Sequence, residues 1–308
     1  MVCLVTTLKN EAKTVGRFMQ SVVAQSMLPS QFIIVDGGST DGTIDILKYY
    51  ASKYKWIKLL VRPGANVSEG RNAAIRLSKD KVIAVTDAGC ILDKDWLKNI
   101  SSPVCNRNCD VSYGASVPVY NNCFEYAQAL FYTKSVKRNF LKIPSSRNIC
   151  FRKEVWDTVG GYPEATLAAE DTKFNIEVER RGYSFEFVKD AIVYWEMRPT
   201  VSALWKQFFK YGRGDAIQRT FFYVRGVKLF LFGLASYIIV GVLLLFLSSL
   251  DVLLLWLSFP FILLVLIGAY FSILTKKLCL LYYFPIASVV RLFAYFSGFL
   301  RGLVYPKE

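Results

Sequence analysis

The stretch Phe32-Ile33-Ile34-Val35-Asp36-Gly37-Gly38-Ser39-Thr40-Asp41-Gly42-Thr43 decides how the chain folds. Four consecutive large apolar residues end at a carboxylate, followed by three glycines set among small polar side chains. A run this short, bounded by turn residues, reads as a strand covered on both faces, as in a parallel sheet. Gly37, Gly38 and Gly42 permit backbone approaches that a Cβ would forbid, and Thr43 is placed to cap a helix over residues 44–54. In open parallel sheets ligands bind beyond the carboxyl ends of the strands, where Asp36 falls. Taken alone, the stretch is explained equally well by an ordinary strand–turn–helix corner.

Its neighbours change that balance. Before it, Val2 to Thr6 reads as a strand leading through Thr7-Leu8-Lys9-Asn10-Glu11 into a helix with Val15, Phe18, Met19, Val22 and Val23 at helical spacing. After it come a strand over Ile57–Val61 and a helix that Ser68 is placed to cap, running through Arg71 to about Ser78. A fourth strand over Lys81–Asp87 again ends in a carboxylate. Strands alternating with helices over the first hundred or so residues predict an α/β domain of three layers with a mostly parallel sheet. Further on, the pattern predicts a strand over Val111–Ala115, a helix over Cys123–Asn139, and a helix opened by Glu170-Asp171 and stopped by Gly182. Two strands, Ser184–Val188 and Ala191–Trp195, follow. Acids in a first turn are what any helix prefers, at about 0.3–1 kcal/mol, so Glu170 and Asp171 carry chemistry only in company with Asp36 and Asp87.

Hydrophobic residues make up 53% of the chain, with mean hydropathy +0.31, and the excess is concentrated at one end. The stretches 229–250, 252–275 and 278–300 contain one charge in all, Arg291, and each has about the 20 residues a bilayer crossing requires. The expected organisation is a nucleotide-binding domain over 1–198, a basic amphipathic juxtamembrane segment over 199–228 and a membrane domain of two to three helices over 229–308. Pro285 and Arg291 interrupt the third stretch, which suits an interfacial helix as well as a span. Lys206, Lys210, Arg213, Arg219, Arg225 and Lys228 precede the first stretch and Lys276-Lys277 follow the second. The positive-inside bias then predicts an integral membrane protein with its catalytic domain on the cytoplasmic side, and a first strand beginning at Val2 predicts no signal peptide.

The net charge of +14 comes with no nucleic-acid motif; anionic headgroups or phosphate-bearing substrates account for it, and no nucleic acid is expected as partner. Seven cysteines without CxxC spacing are expected to be reduced core residues in a cytosolic setting. There is no histidine, so His-based triads and His metal sites are excluded, and any general base is Asp, Glu, Lys, Tyr or Cys.

Val35-Asp36-Gly37-Gly38-Ser39-Thr40-Asp41-Gly42-Thr43, Gly70-Arg71-Asn72-Ala73-Ala74, Thr86-Asp87-Ala88-Gly89-Cys90 and Glu170-Asp171, in that order, resemble the family 2 glycosyltransferases with their GT-A fold. The resemblance covers about the first 215 residues and implies a nucleotide-sugar donor, a UDP- or GDP-sugar. It implies that Thr7, Glu11, Asp36, Arg71 and Asp87 line the donor nucleotide site. Asp87 would hold a divalent cation, Mg²⁺ or Mn²⁺, on the diphosphate, with Asp171 as catalytic base and Glu170 in support. Two family acids are missing, at Gly37 and Gly89. Gln207-x-x-Lys210-Tyr211 is similar to the family's Gln-x-x-Arg-Trp, which assigns Gln207, Lys210 and Arg213 to the diphosphate or acceptor. Arg147 or Arg152 is a further phosphate contact or a surface charge.

The activity these readings imply is a membrane-anchored inverting glycosyltransferase acting on a lipid-linked or membrane-proximal acceptor, such as a polyprenyl phosphate or a lipid-linked glycan. Three alternatives stand beside it: a processive polysaccharide synthase, for which oligomers could supply a channel; a nucleotidyltransferase; and a non-enzymatic membrane scaffold with a degenerate transferase domain.

Overall fold

The structure, a computed structural model, describes residues 1–132, 144–165, 168–223, 225–247 and 249–305. It divides into two compact units, Met1–Val119 with Tyr132–Glu196, and Tyr120–Phe131 with Met197–Glu308.

In the first unit β1 (Val2–Leu8), β2 (Gln31–Asp36), β3 (Ile57–Val61) and β4 (Val82–Thr86) pair in parallel in the order β3-β2-β1-β4. Helices α1 (Val15–Val23), α2 (Thr43–Lys53) and α3 (Val67–Leu77) make the crossovers that parallel pairing requires. The quoted stretch is therefore a strand buried on both faces that ends at Asp36. The later strands depart from the mostly parallel expectation. β5 (Cys90–Leu92), β6 (Val111–Val119), β7 (Asn148–Arg152) and β8 (Phe185–Glu196) complete a mixed sheet of order β3-β2-β1-β4-β7-β6-β8-β5. β7 runs antiparallel to both β4 and β6, while β6 and β8 are parallel. β5 follows β4 with no helix between them, and although helices separate β5, β6, β7 and β8, alternation alone does not set the direction in which each of these strands returns to the sheet.

Helices α4 (Trp96–Cys105), α6 (Lys153–Val159) and α7 (Glu170–Arg180) also belong to this unit; α5 (Cys123–Ala129) belongs to the second. Val5, Ile33, Val35, Ile83, Val85, Ile149 and Phe151 from the sheet pack with Ala74, Ile75, Val155, Trp156, Phe174 and Val178 from α3, α6 and α7. Each large side chain so buried contributes on the order of 1.5–3 kcal/mol.

Several local expectations are corrected. Gly42, at φ 91°, precedes α2, and Thr43 is its first residue instead of its cap. Asn66 caps α3 in place of Ser68, in a reciprocal capping box with Glu69. The two strands expected over 184–195 are one, because β8 continues through Lys189 and Asp190 while its pairing with β6 shifts at Gly114/Ala115. Of the helix expected over 123–139, α5 is the observed part, and 133–139 lie outside the described residues.

The second unit holds α5, α8 (Val201–Gln218), α9 (Arg225–Leu247), α10 (Leu250–Thr275) and α11 (Leu280–Val304). Among the described residues α10 and α11 are long and apolar enough to cross a membrane. α8 and α11 meet at backbone distance: a Cβ on Gly212 would lie 2.0 Å from the Tyr295 carbonyl oxygen, and one on Gly298 would lie 2.0 Å from that of Phe209. Cys123 and Cys279, 156 residues apart, form a disulfide with Cα atoms 6.3 Å apart. Two of the seven cysteines are thus not reduced as expected, a pairing that the spacing in sequence could not reveal.

Candidate active site

The candidate site collects at the carboxyl end of the parallel strands. β4 ends at Thr86, and Asp87 follows it at the sheet edge with 41% of its side chain exposed. Asn66 starts α3 by accepting the Glu69 N–H, and that start sets Arg71 about one turn in, almost fully buried. Its guanidinium forks: Nη2 donates to Asp87 Oδ1 and Nη1 donates to Glu170 Oε1, both at 2.8 Å. Burial alone would favour losing the proton, but Asp87 and Glu170 more than offset it and Arg71 stays cationic. Burial, then the neighbouring Asp171, push the Glu170 carboxyl above its ordinary range against the pull of Arg71.

Tyr162 lies under the guanidinium, with 5.3 Å from the ring centroid to Cζ, and stacks on Phe174 at 4.3 Å. Its position comes from Asn72, one residue beyond Arg71. The Asn72 Oδ1 accepts the Trp156 Nε1–H and the Tyr162 N–H, and its amide donates to the Tyr162 carbonyl and to Glu164. The Tyr162 hydroxyl meets Ser146 Oγ at 3.0 Å, and burial holds the phenol protonated. Asp171 is oriented from the same side: its Oδ2 accepts the Ser145 hydroxyl at 3.1 Å and the Ser146 N–H at 3.3 Å, while Oδ1 accepts the Thr172 N–H. Ala169, at φ 61°, turns the chain into α7 so that Glu170 and Asp171 open it.

Thr7 lies near the end of β1, Asp36 is the last residue of β2, and Glu11 sits on the loop that leaves β1. Asp36 is fully buried; Oδ1 accepts the Gly38 and Ser39 N–H groups and Oδ2 accepts the Ser39 hydroxyl. Both of its oxygens are therefore committed to the turn. Thr7 donates its hydroxyl to the Val35 carbonyl, and Glu11 donates its N–H to Thr43 while its carboxylate accepts the Thr14 hydroxyl. Asn10 and Asp41 knit the two loops together, through Ser39, Thr40 and Ala12. Of the phosphate candidates, Arg152 pairs with Asp110 and Glu154 and is structural, and Arg147 stacks on Trp195 at 3.9 Å.

Gln207, Lys210 and Arg213 lie on α8 in the second unit. Gln207 bridges Arg198 and Tyr211. Lys210 is exposed, and the Arg213 Nε and Nη2 atoms are buried without a hydrogen-bond partner among the described residues.

Asn72, Ser145, Ser146 and Tyr162 were not singled out as site residues by their sequence. Their one signal is position: each lies within or beside a stretch already marked by charge or glycine. Among the described residues, no group of three or more His, Cys, Asp or Glu side chains is arranged to hold a metal.

The chain matches the model of glycosyl transferase family 2 over residues 3–161 and that of glycosyl transferase family group 2 over residues 83–298. It belongs to the family 2 glycosyltransferases, as the four motifs implied, and the nucleotidyltransferase alternative is set aside. Among its relatives, the glycosyltransferase AglE of Haloferax volcanii is 26% identical over 221 residues, covering 70% of this chain and 72% of that one. The O-antigen chain rhamnosyltransferase RfbN of Salmonella typhimurium is 25% identical over 223 residues, covering 66% and 70%. Solved structures share the GT-A fold. A mannosyltransferase from Pyrobaculum calidifontis, in complex with GDP-Man and Mn²⁺, superposes with TM-score 0.64 at 16% identity, over 94% of this chain and 86% of that one. Residues 1–349 of TarS from S. aureus, in complex with UDP-GlcNAc, give 0.56 at 18% identity, over 70% and 66%.

Proposed function

We propose that the chain is a membrane-anchored inverting glycosyltransferase that moves a sugar from a UDP- or GDP-sugar to a lipid-linked acceptor, with Asp171 as general base. The observation that carries this reading is the buried Arg71 fork, which ties Asp87 at the end of β4 to Glu170 at the start of α7, directly beside Asp171. An unused, degenerate site would not keep a buried cation between two carboxylates, because burying charge is costly unless each member is paired. The membrane anchor rests on the apolar helices of the second unit, α10 foremost.

In the proposed mechanism the donor's nucleoside lies along the loops after β1 and β2, near Thr7 and Glu11, on a wall whose shape Asp36 fixes through its turn. The diphosphate comes to Asp87. A divalent cation fits there only as a partner of the substrate: Asp87 Oδ1 is taken by Arg71, and Oδ2 carries no hydrogen bond among the described residues. Asp87 would hold Mg²⁺ or Mn²⁺ by one carboxylate oxygen, with phosphate oxygens and water completing the shell. Bound there, the ion would supply charge neutralisation of the leaving diphosphate. Arg71 stays cationic but is spent on the two acids, so its part is to hold Asp87 outward.

Asp171, oriented by Ser145 and the Ser146 N–H, accepts the acceptor's hydroxyl proton as oxygen attacks the anomeric carbon from the face opposite the diphosphate. An acceptor that is already a phosphate anion needs no such base. Gln207, Lys210 and Arg213 are assigned to the diphosphate or the acceptor by their sequence pattern.

Purified full-length chain, supplied with labelled UDP- or GDP-sugars, Mg²⁺ or Mn²⁺ and a polyprenyl phosphate or a lipid-linked glycan, is expected to move label into the organic phase. With a hydroxyl acceptor, Asp171→Asn is expected to lose about 10²–10⁴-fold in kcat, and EDTA to abolish turnover. Near wild-type transfer by Asp171→Asn to a hydroxyl, or full activity in EDTA, sinks the corresponding role. Long water-soluble polymer in place of single additions marks a processive synthase.

A further inference from the structure

The apolar helices of the second unit are not alike. α10 is exposed over most of its surface: Leu254, Leu255, Leu257, Phe259, Phe261, Ile262, Val265 and Leu266 point outward, and burial is confined to its last turns, at Gly268 and Ser272. α11 is two-sided. Phe284, Ala287, Gly298, Phe299 and Gly302 are buried, while Leu281, Tyr282, Leu292, Phe293, Leu300 and Leu303 are exposed and fall on one side of the helix.

Phe124, Phe131 and Phe271 pack on the first turns of α11, and α8 covers the buried side of the rest. Arg291 lies over the Phe208 ring at 5.1 Å. Gly298 faces the Phe209 carbonyl, and Gly302 faces the Arg213 carbonyl with 2.6 Å left for a Cβ. Tyr295 donates its hydroxyl to Asp215 at 2.7 Å. From Phe208 to Arg213 and from Arg291 to Gly302 the register rises together, so the two helices run parallel, locked through small residues over on the order of 15 Å. They must therefore share one tilt and similar depth in a membrane.

α8 cannot cross. Its 18 residues carry Lys206, Lys210, Arg213 and Asp215, a crossing needs about 20 largely apolar residues, and Trp205, Lys206 and Lys210 are exposed on its outer side. A tryptophan beside lysines is the composition of a helix at headgroup level.

We infer that α11 does not span the bilayer but lies with α8 in the headgroup–acyl boundary of an anionic leaflet, leaving α9 and α10 as the hairpin that crosses. The exposed stripe of α11 enters the acyl region, and α8 faces the headgroups. Arg291, midway along α11 and held between the Phe131 and Phe208 rings, sits at headgroup depth; in a spanning helix it would stand at the bilayer centre with no ion pair among the described residues. The charges agree. Arg219 precedes α9 and Arg225 opens it, Lys276 and Lys277 follow α10, and Arg301 lies in the last turn of α11, while Asp251, in the first turn of α10, is the one charged residue from 229 to 252. Three basic ends on one leaflet satisfy the positive-inside bias, which a third crossing would break.

This placement rests on the membrane-anchored reading, and one experiment separates the two. The full chain is expressed in bacteria with green fluorescent protein or alkaline phosphatase joined after Glu308, or inserted after Ser249, and membranes are washed with carbonate. The expected result is retention in the pellet, a fluorescent and phosphatase-inactive C-terminal fusion, and a phosphatase-active Ser249 insertion. An active C-terminal phosphatase on a retained chain overturns the interfacial α11 and leaves the anchor standing. An inactive Ser249 insertion overturns the crossing hairpin. Release of the protein by carbonate overturns the anchor and this placement with it.

Discussion

Gly37 and Gly89 stand where the family pattern has acids, and they differ physically. A Cβ on Gly37 would lie 2.9 Å from the Ala65 carbonyl, because the Arg62–Asn66 turn closes on the end of β2. A Cβ on Gly89 would meet nothing within 4 Å. The first loss is enforced by packing, and the second leaves room beside Asp87. The acids that remain are coupled through Arg71, which gives Glu170 a measurable signature. Its carboxyl is raised by burial first and by Asp171 second, so the folded chain holds this proton more tightly than the unfolded chain. Stability therefore falls as pH rises from the unfolded carboxylate value toward the raised folded one, and levels off above both. Glu170→Gln, which keeps an oxygen for Arg71, is expected to flatten that slope. Urea denaturation of both proteins from about pH 4 to 8 reads it, and an unchanged slope would remove burial of Glu170 as its cause.

At the scale of elements, α3 positions the site, and its close packing on β1 goes through Gly70. A Cβ there would lie 2.2 Å from Thr7 Oγ1 and 2.9 Å from Thr7 Cβ. Gly70→Ala gains about 0.8–1 kcal/mol of helix propensity against about 1–3 kcal/mol of overpacking. The expected outcome is a net loss of up to about 2 kcal/mol, seen as a lower Tm, that Thr7→Ala on the same chain restores in part, since it removes Oγ1 and leaves the Cβ contact. A double variant no more stable than Gly70→Ala would place the strain elsewhere. Strand and helix existence was legible here because apolar periodicity reports burial directly: β1 to β4 and α7 fall where Val2–Thr6, Phe32–Asp36, Ile57–Val61, Lys81–Asp87 and Glu170-Asp171 put them. Caps were less legible. Asn66, Ser68, Gly42 and Thr43 are all acceptable starters, and the Glu69 side chain and the left-handed Gly42 decided between them. The antiparallel β7 was hidden as well, because pairing direction depends on how the chain returns to the sheet and not on the composition of the strand.

For the whole molecule, two units with separate cores, one around Ile83 and Phe151 and one around Phe208 and Phe284, predict unfolding that is not two-state. Calorimetry of the solubilised full chain is expected to show two transitions. A bound UDP- or GDP-sugar with Mn²⁺ is expected to raise only the transition of the GT-A unit, by mass action; a single transition that shifts as a whole would contradict this. The sequence by itself determined the class of fold, the order of the motifs, the acids at the strand ends and the apolar C-terminal segment, because each of these is a local pattern of burial, charge or turn chemistry. Only the tertiary structure decided that Arg71 is spent on Asp87 and Glu170, that Asp36 serves its own turn, that Ser145, Ser146 and Tyr162 frame Asp171, and that α11 lies along α8. Apart from the local turn at Asp36, those facts are contacts between residues tens to about a hundred positions apart, and contacts at that separation are set by the packing of the sheet and helices, for which neighbouring residues carry no signal.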